Sequence, residues 1–179
     1  MSAVNSETWT YTRADAYKLL QILDSEHERY LRAVGYLPRG EERLQEDLRR
    51  YLCLRCSGFL EQLTYEVLTD YLLRKSYTPI GEWATSFFRH APNLNLKAFA
   101  SLLARFGESY STAFEKFINH SGRRDLLTNL LDVRNTVAHG GVIGGQRLDP
   151  TPYIRLCRDT HDWLVTVFID ERFPSDATT

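Results

Sequence analysis

Apolar residues recur at spacings of three and four along most of this chain, the period of helices with one face turned inward. Leu20, Leu23, His27, Tyr30, Leu31 and Val34 form the first stripe and predict a long helix from about Arg13 to Val34. Gly35, Pro38 and Gly40 end it in a loop. A second stripe, Leu44, Leu48, Leu52, Cys56, Phe59, Leu63 and Val67, predicts a helix from about Glu41 to Lys75. At about 50 Å that helix is unusually long, so a kink near Ser57 and Gly58 is expected. The two stripes read as a pair of long antiparallel helices.

From Ser76 to Gly122 the pattern breaks into shorter pieces, with Pro79, Gly81 and Pro92 as punctuation. Helices are expected over 80–89, 94–106 and 109–118. The aromatics of this stretch, Trp83, Phe87, Phe88, Phe99, Phe106, Tyr110, Phe114 and Phe117, suit core and dimer contacts better than a base-stacking surface. A further helix starts near Ser121, buries Leu127, Leu130, Leu131 and Val137, and gives way to a flexible glycine-rich loop ending at Arg147. Asp149, Pro150, Thr151 and Pro152 start a last helix with Ile154, Cys157, His161, Leu164 and Phe168 on one stripe. The fold expected is all-α: a helical bundle of two long antiparallel helices, shorter peripheral helices and a motif helix towards the C-terminus. Residues 1–172 read as one domain and 173–179 as a disordered tail.

Composition changes this picture little. The 179 residues are 43% hydrophobic and 25% charged, with net charge −1, ordinary for a soluble globular chain. Nucleic acid is therefore no whole-surface partner. Between residues 116 and 147, however, Lys116, Arg123, Arg124, Arg134 and Arg147 face only Asp125 and Asp132, a local excess suited to phosphate. No apolar stretch approaches membrane-spanning length and the N-terminus lacks a signal peptide's apolar core, so a cytoplasmic protein with no membrane partner is expected.

The segment 130–141 is the one place where the chemistry looks chosen. It sets Arg134, Asn135 and His139 at the end of a helix that stops on Gly140 and Gly141. Cations near a helix C-terminus are favoured by the dipole alone, and Arg-x4-His recurs by chance in helical proteins. The Leu-rich run before it, the Asn directly after the Arg, the small Ala138 and the paired glycines add specificity. Together they resemble the Arg-x4-6-His signature of HEPN domains, and the closest likeness is to the stand-alone bacterial RiboL-PSP-like group. The resemblance implies a small all-α homodimer with both motif helices lining one cleft. It further implies metal-independent cleavage of RNA, no cofactor, and a setting in anti-phage defence or a toxin system with an antitoxin or regulatory protein as partner. HEPN toxins silenced by nucleotidylation carry Tyr two residues after the His. Here that position is Gly141, so this control is not expected.

The residue types fit that chemistry. Attack of a ribose 2′-OH on the adjacent phosphate leaves a 2′,3′-cyclic phosphate and a 5′-OH, and needs a base, an acid and positive charge at phosphorus. An imidazole titrates near neutrality and serves either proton role, which assigns His139. Arg134 offers a planar fork matched to phosphate oxygens. Asn135 can orient the imidazole or a hydroxyl, and Arg123, Arg124 and Arg147 are candidate RNA contacts. Five helical steps nevertheless set His139 roughly 140° around the axis from Arg134. Either the helix unwinds at Gly140, or the site takes Arg and His from two chains. The alternative class is a non-catalytic helical dimer that binds RNA, nucleotide or protein through the same cleft.

Two secondary constellations remain. Glu61 follows Ser57 and Gly58 on the second helix and can pair with Arg134, tune His139, or simply pair with Arg55. Cys53, Cys56, Cys157 and His161 form a paper zinc set, but both pairs sit on apolar helical faces, where buried thiols and a hydrogen-bonded core histidine are the simpler reading.

Overall fold

The computed structural model describes residues 11–76, 78–86, 95–141 and 148–173. Among them all regular structure is helical: α1 (Arg13–Tyr36), α2 (Glu42–Lys75), α3 (Thr78–Ser86), α4 (Leu96–Ala104), α5 (Glu108–Asn119), α6 (Arg123–Ala138) and α7 (Thr151–Leu164). A π-helical turn, Val165–Ile169, continues α7. The all-α bundle anticipated from the periodicity is what forms.

Helix α1 begins at a capping box, in which Thr12 and Asp15 satisfy each other's backbone N–H. Its antiparallel register with α2 is fixed at two points. The Tyr11 N–H donates to Asp70 Oδ1 at 2.8 Å near one end, and Arg55 Nε donates to Glu26 Oε2 at 2.7 Å near the middle. Helix α2 is the hub: α1, α3, α6, α7 and the π-turn all pack against it. Leu52, Cys56, Phe59, Leu63 and Val67 from its stripe are all buried. The expected kink does not interrupt α2, which runs unbroken through Ser57 and Gly58. Cys56, Ser57, Phe59 and Leu60 are all buried there, so contacts on both sides of the glycine hold the helix straight enough to continue.

Five residues expected to be buried are not, for related reasons. Leu31 and Leu44 are half exposed and Leu48 is only partly buried, because the hairpin end of α1 and α2 reaches past the helices that cover their middles. Trp83 is 65% exposed rather than core, since the nine-residue α3 lies on the outside of α2, with Gly81 against Leu73 and Ser76. Val137 is likewise only partly buried, at the far end of α6. Of the other aromatics, Phe99 and Phe114 are buried, and Phe106, Tyr110 and Phe117 pack on the core's edge. Phe87, Phe88, Arg147 and residues 174–179 lie outside the described residues, while Phe173 packs edge-on to Tyr110 at 4.9 Å.

All three cysteines are free and buried. The Cys157 thiol donates to the Cys56 carbonyl at 3.6 Å, and burial pushes the Cys53 and Cys157 thiols well up, away from reactive thiolate. His161 is buried with Nδ1 2.9 Å from Asp162 Oδ1. Among the described residues no group of His, Cys, Asp and Glu is placed to hold a metal ion, and no helix is long and apolar enough to cross a membrane.

Glu66, on α2, makes no ion pair among the described residues, and burial raises its carboxyl above the ordinary range. A folded-state pKa above the unfolded one gives a contribution that is complete at low pH and lost as pH rises through the folded value. Glu66→Gln mimics the protonated acid. It should therefore raise the melting temperature at neutral pH, with the gain vanishing below about pH 4. A gain independent of pH, measured by thermal melts across that range, would show that charge burial is not its source.

Candidate functional site

Leu127, Leu130 and Leu131 turn one face of α6 onto α2, and all three are buried. Arg134 follows at three and four residues, so it rides on that same face. It meets Glu61, with Nη2 3.6 Å from Oε1 and both side chains roughly three-quarters buried. Its Nη1 donates to Asn135 Oδ1 at 3.1 Å. The alternative partner for Glu61 is taken, since Arg55 binds Glu26. Behind this pair, Ser57, Leu60, Glu61, Leu127, Leu131 and Thr160 help enclose a cavity of about 10 Å³, space for about one water. Ser57 Oγ is buried beside it without a partner among the described residues.

His139 caps α6 at φ −96° and ψ 13°. The chain then reverses through a Schellman closure: Gly140 N–H donates to Val137 O at 3.1 Å and Gly141 N–H to Thr136 O at 2.8 Å. Gly140 is left-handed at φ +71°. A Cβ on Gly141 would stand 2.9 Å from Thr136 Cγ2 and 3.0 Å from Thr136 O. Both glycines are therefore required by geometry, and the helix does not unwind before His139. The imidazole is exposed and has no hydrogen bond or ion pair among the described residues.

Helical geometry puts Arg134 on the face toward α2, with Asn135 and His139 on the outer face, four residues apart. A single chain thus displays the charged fork and the imidazole on different sides of α6. Arg123 and Arg124 are drawn elsewhere. Arg123 Nε binds Asp159 at 2.9 Å and Arg124 binds Glu115 at 3.0 Å and Asn119 at 2.8 Å, at the opposite end of α6. Thr136, which walls in Gly141, was not singled out from sequence. Its only signal there is its place five residues before a glycine.

The Schellman closure makes a testable demand. Gly141→Ala forces the end of α6 open and should cost about 1–3 kcal/mol, a fall of several degrees in melting temperature. Thr136→Ala removes the nearer clash and should restore part of the loss in the double variant. A melting temperature unchanged by Gly141→Ala would mean that the turn is not held as described.

A family model described as RiboL-PSP-HEPN matches residues 14–166, from the first turn of α1 into the π-helical turn. Neither a curated protein nor a solved structure matches the chain. The match covers α1, α2 and the α6 seam that carries Arg134 and Glu61, together with the capped end at His139, and the chain belongs to the RiboL-PSP group of HEPN domains.

Proposed function

We propose that the protein is a metal-independent endoribonuclease whose site is completed by a second copy of the chain. One observation carries the reading. Arg134 is held mostly buried and oriented against Glu61, while His139 stands exposed and uncommitted on another face of a rigidly capped helix. A core arginine needs no histidine beside it, and a surface histidine needs no double-glycine cap. A two-fold axis running past α6 brings the Arg134 of one protomer toward the His139 of its partner.

In such a cleft Arg134 binds the scissile phosphate and offsets the charge that develops on its oxygens. The 2′-oxygen attacks phosphorus as its proton passes to a base. The P–O5′ bond breaks as an acid returns a proton to O5′, leaving a 2′,3′-cyclic phosphate and a 5′-OH. Two copies of His139 are available for these two roles. Asn135 steadies the Arg134 fork, and Glu61 keeps it from folding back on the surface.

Because the substrate supplies its own nucleophile, RNA should be cut and the matched 2′-deoxy strand left intact. His139 and Arg134 supply proton transfer and charge, so cleavage should persist in EDTA. Strict Mg²⁺ dependence or equal cutting of DNA would sink this mechanism. A chain that binds RNA without cutting it would instead support the non-catalytic reading, which the occupied Arg134 fork favours.

Subunit mixing tests the shared site. Arg134→Ala and His139→Ala homodimers should each lose most activity. After exchange, heterodimers carry one intact Arg134 and one intact His139 on different chains, and part of the activity should return. With both variants shown folded and exchange confirmed, no recovery would falsify the composite site.

A further inference from the structure

We propose that an open face of α2 beside Arg134 is the track on which an RNA strand lies, and that Tyr51 and Tyr65 take its bases. The inference rests on the reading of Arg134 as a phosphate site and adds the residues that choose the strand. Tyr51, Leu54, Gly58, Gln62 and Tyr65 fall within about 80° of arc on α2. The faces to either side are taken. On one, Arg55 turns to Glu26 of α1, and on the other Glu61 turns to Arg134 of α6. At Gly58, between them, an added Cβ would meet no heavy atom within 4 Å among the described residues. The helix backbone is therefore bare in the middle of a furrow walled by α1 and α6. Beyond the furrow α3 packs on α2 at Leu73 and Ser76.

The floor has the chemistry of a single-strand track. Tyr51 is 52% exposed, Gln62 is exposed and Tyr65 is partly buried. Neither ring is stacked on another ring or hydrogen-bonded among the described residues, so no side chain holds the place of a stacked base. The two tyrosines stand one on each side of Gly58, about 21 Å apart along the axis. Gly58 admits the sugar–phosphate backbone where a side chain would hold it off. Glu61 lies one turn further on, so a strand crossing Gly58 brings a phosphate to Arg134 at the rim. Gln62 offers a donor and an acceptor to a base edge.

A helix of a second copy suits this furrow poorly. The apolar floor is two rings, one of them partly buried, and Leu54, little against the roughly 1,600 Å² of a stable pair. It also carries two hydroxyls and an amide, which such a helix would have to satisfy. A duplex suits it no better, since paired bases are stacked inward and cannot reach tyrosines on a helix face. An unpaired strand meets all three features at once: rings for its bases, bare backbone for its sugar, and an arginine for its phosphate.

The test measures binding of a 2′-O-methyl single strand, which cannot be cleaved through its 2′-oxygen, and of its duplex, beside kcat and KM on the matched RNA. Gly58→Gln fills the furrow from a position with open space around it and brings a better helix former. It should therefore melt no lower than the native chain. Single-strand binding should weaken about tenfold in Gly58→Gln, Tyr51→Leu and Tyr65→Leu, the loss expected for one stacked base. KM should rise by a similar factor with kcat little changed. Tyr51→Phe and Tyr65→Phe keep the ring and should bind like the native chain, and the duplex should bind more weakly than the single strand. Binding without cleavage, lost in Gly58→Gln, would uphold the track and remove the ribonuclease reading. Cleavage unchanged in both Gly58→Gln and Tyr51→Leu would keep the ribonuclease and overturn the track. The track also falls if the native chain binds no RNA or if the duplex binds as well as the single strand. It falls equally if Gly58→Gln turns a dimer into a monomer in sedimentation, which would make the furrow a contact between copies.

Discussion

The packing of α6 on α2 is the contact on which both stability and site depend. Burying Leu127, Leu130 and Leu131 at about 2 kcal/mol each is comparable with the whole net stability of a small domain. The ion pair between Arg134 and Glu61, long at 3.6 Å, is worth at most about 1 kcal/mol. The leucines therefore place the arginine, and the carboxylate only orients it. A change in the seam at Leu131 displaces Arg134 directly, since the two residues are one helical turn apart on the same face.

The second constraint is the closed end of α6. Two backbone hydrogen bonds, the left-handed Gly140 and Gly141, where a Cβ would meet Thr136, hold His139 as the cap of α6. This removes the backbone unwinding that would let one chain turn its imidazole toward its own Arg134. Rigidity at this end of the chain is what supports the proposal of a site shared between two copies. A site assembled from two rigid halves is ordered at the moment of association and costs little further conformational entropy.

Much of this was legible in the sequence, and the failures have a common cause. Periodicity identifies the inward face of a helix but not how far along it a neighbour extends. Leu20 and Leu23 met a covering helix, whereas Leu31 and Leu44, with the same spacing, reached beyond one. The register of α1 on α2, the unbroken passage of α2 through Gly58 and the π-turn after α7 are tertiary outcomes with no local signal. The pairing of Glu61 was open between Arg55 and Arg134 until α1 supplied Glu26 for Arg55. Arg134, Asn135 and His139 could be named from their spacing, but their separation onto two faces follows only once the helix is known to persist to its cap.

Charge accounting explains why a near-neutral chain can still be read as a phosphate binder. Arg55, Arg74, Arg123, Arg124, Arg134 and Arg158 each face a carboxylate of the same chain within 3.6 Å. These pairs cancel the long-range field that a basic surface would use to gather nucleic acid. They also fix the guanidinium groups, so that the donors not used internally point in set directions. On the proposed reading, recognition comes from donors held ready at close range, as at Arg134, and less from a field that attracts any polyanion. Under that proposal a short phosphate-bearing element suits the site better than a long helix of nucleic acid, because few oriented donors are on offer there.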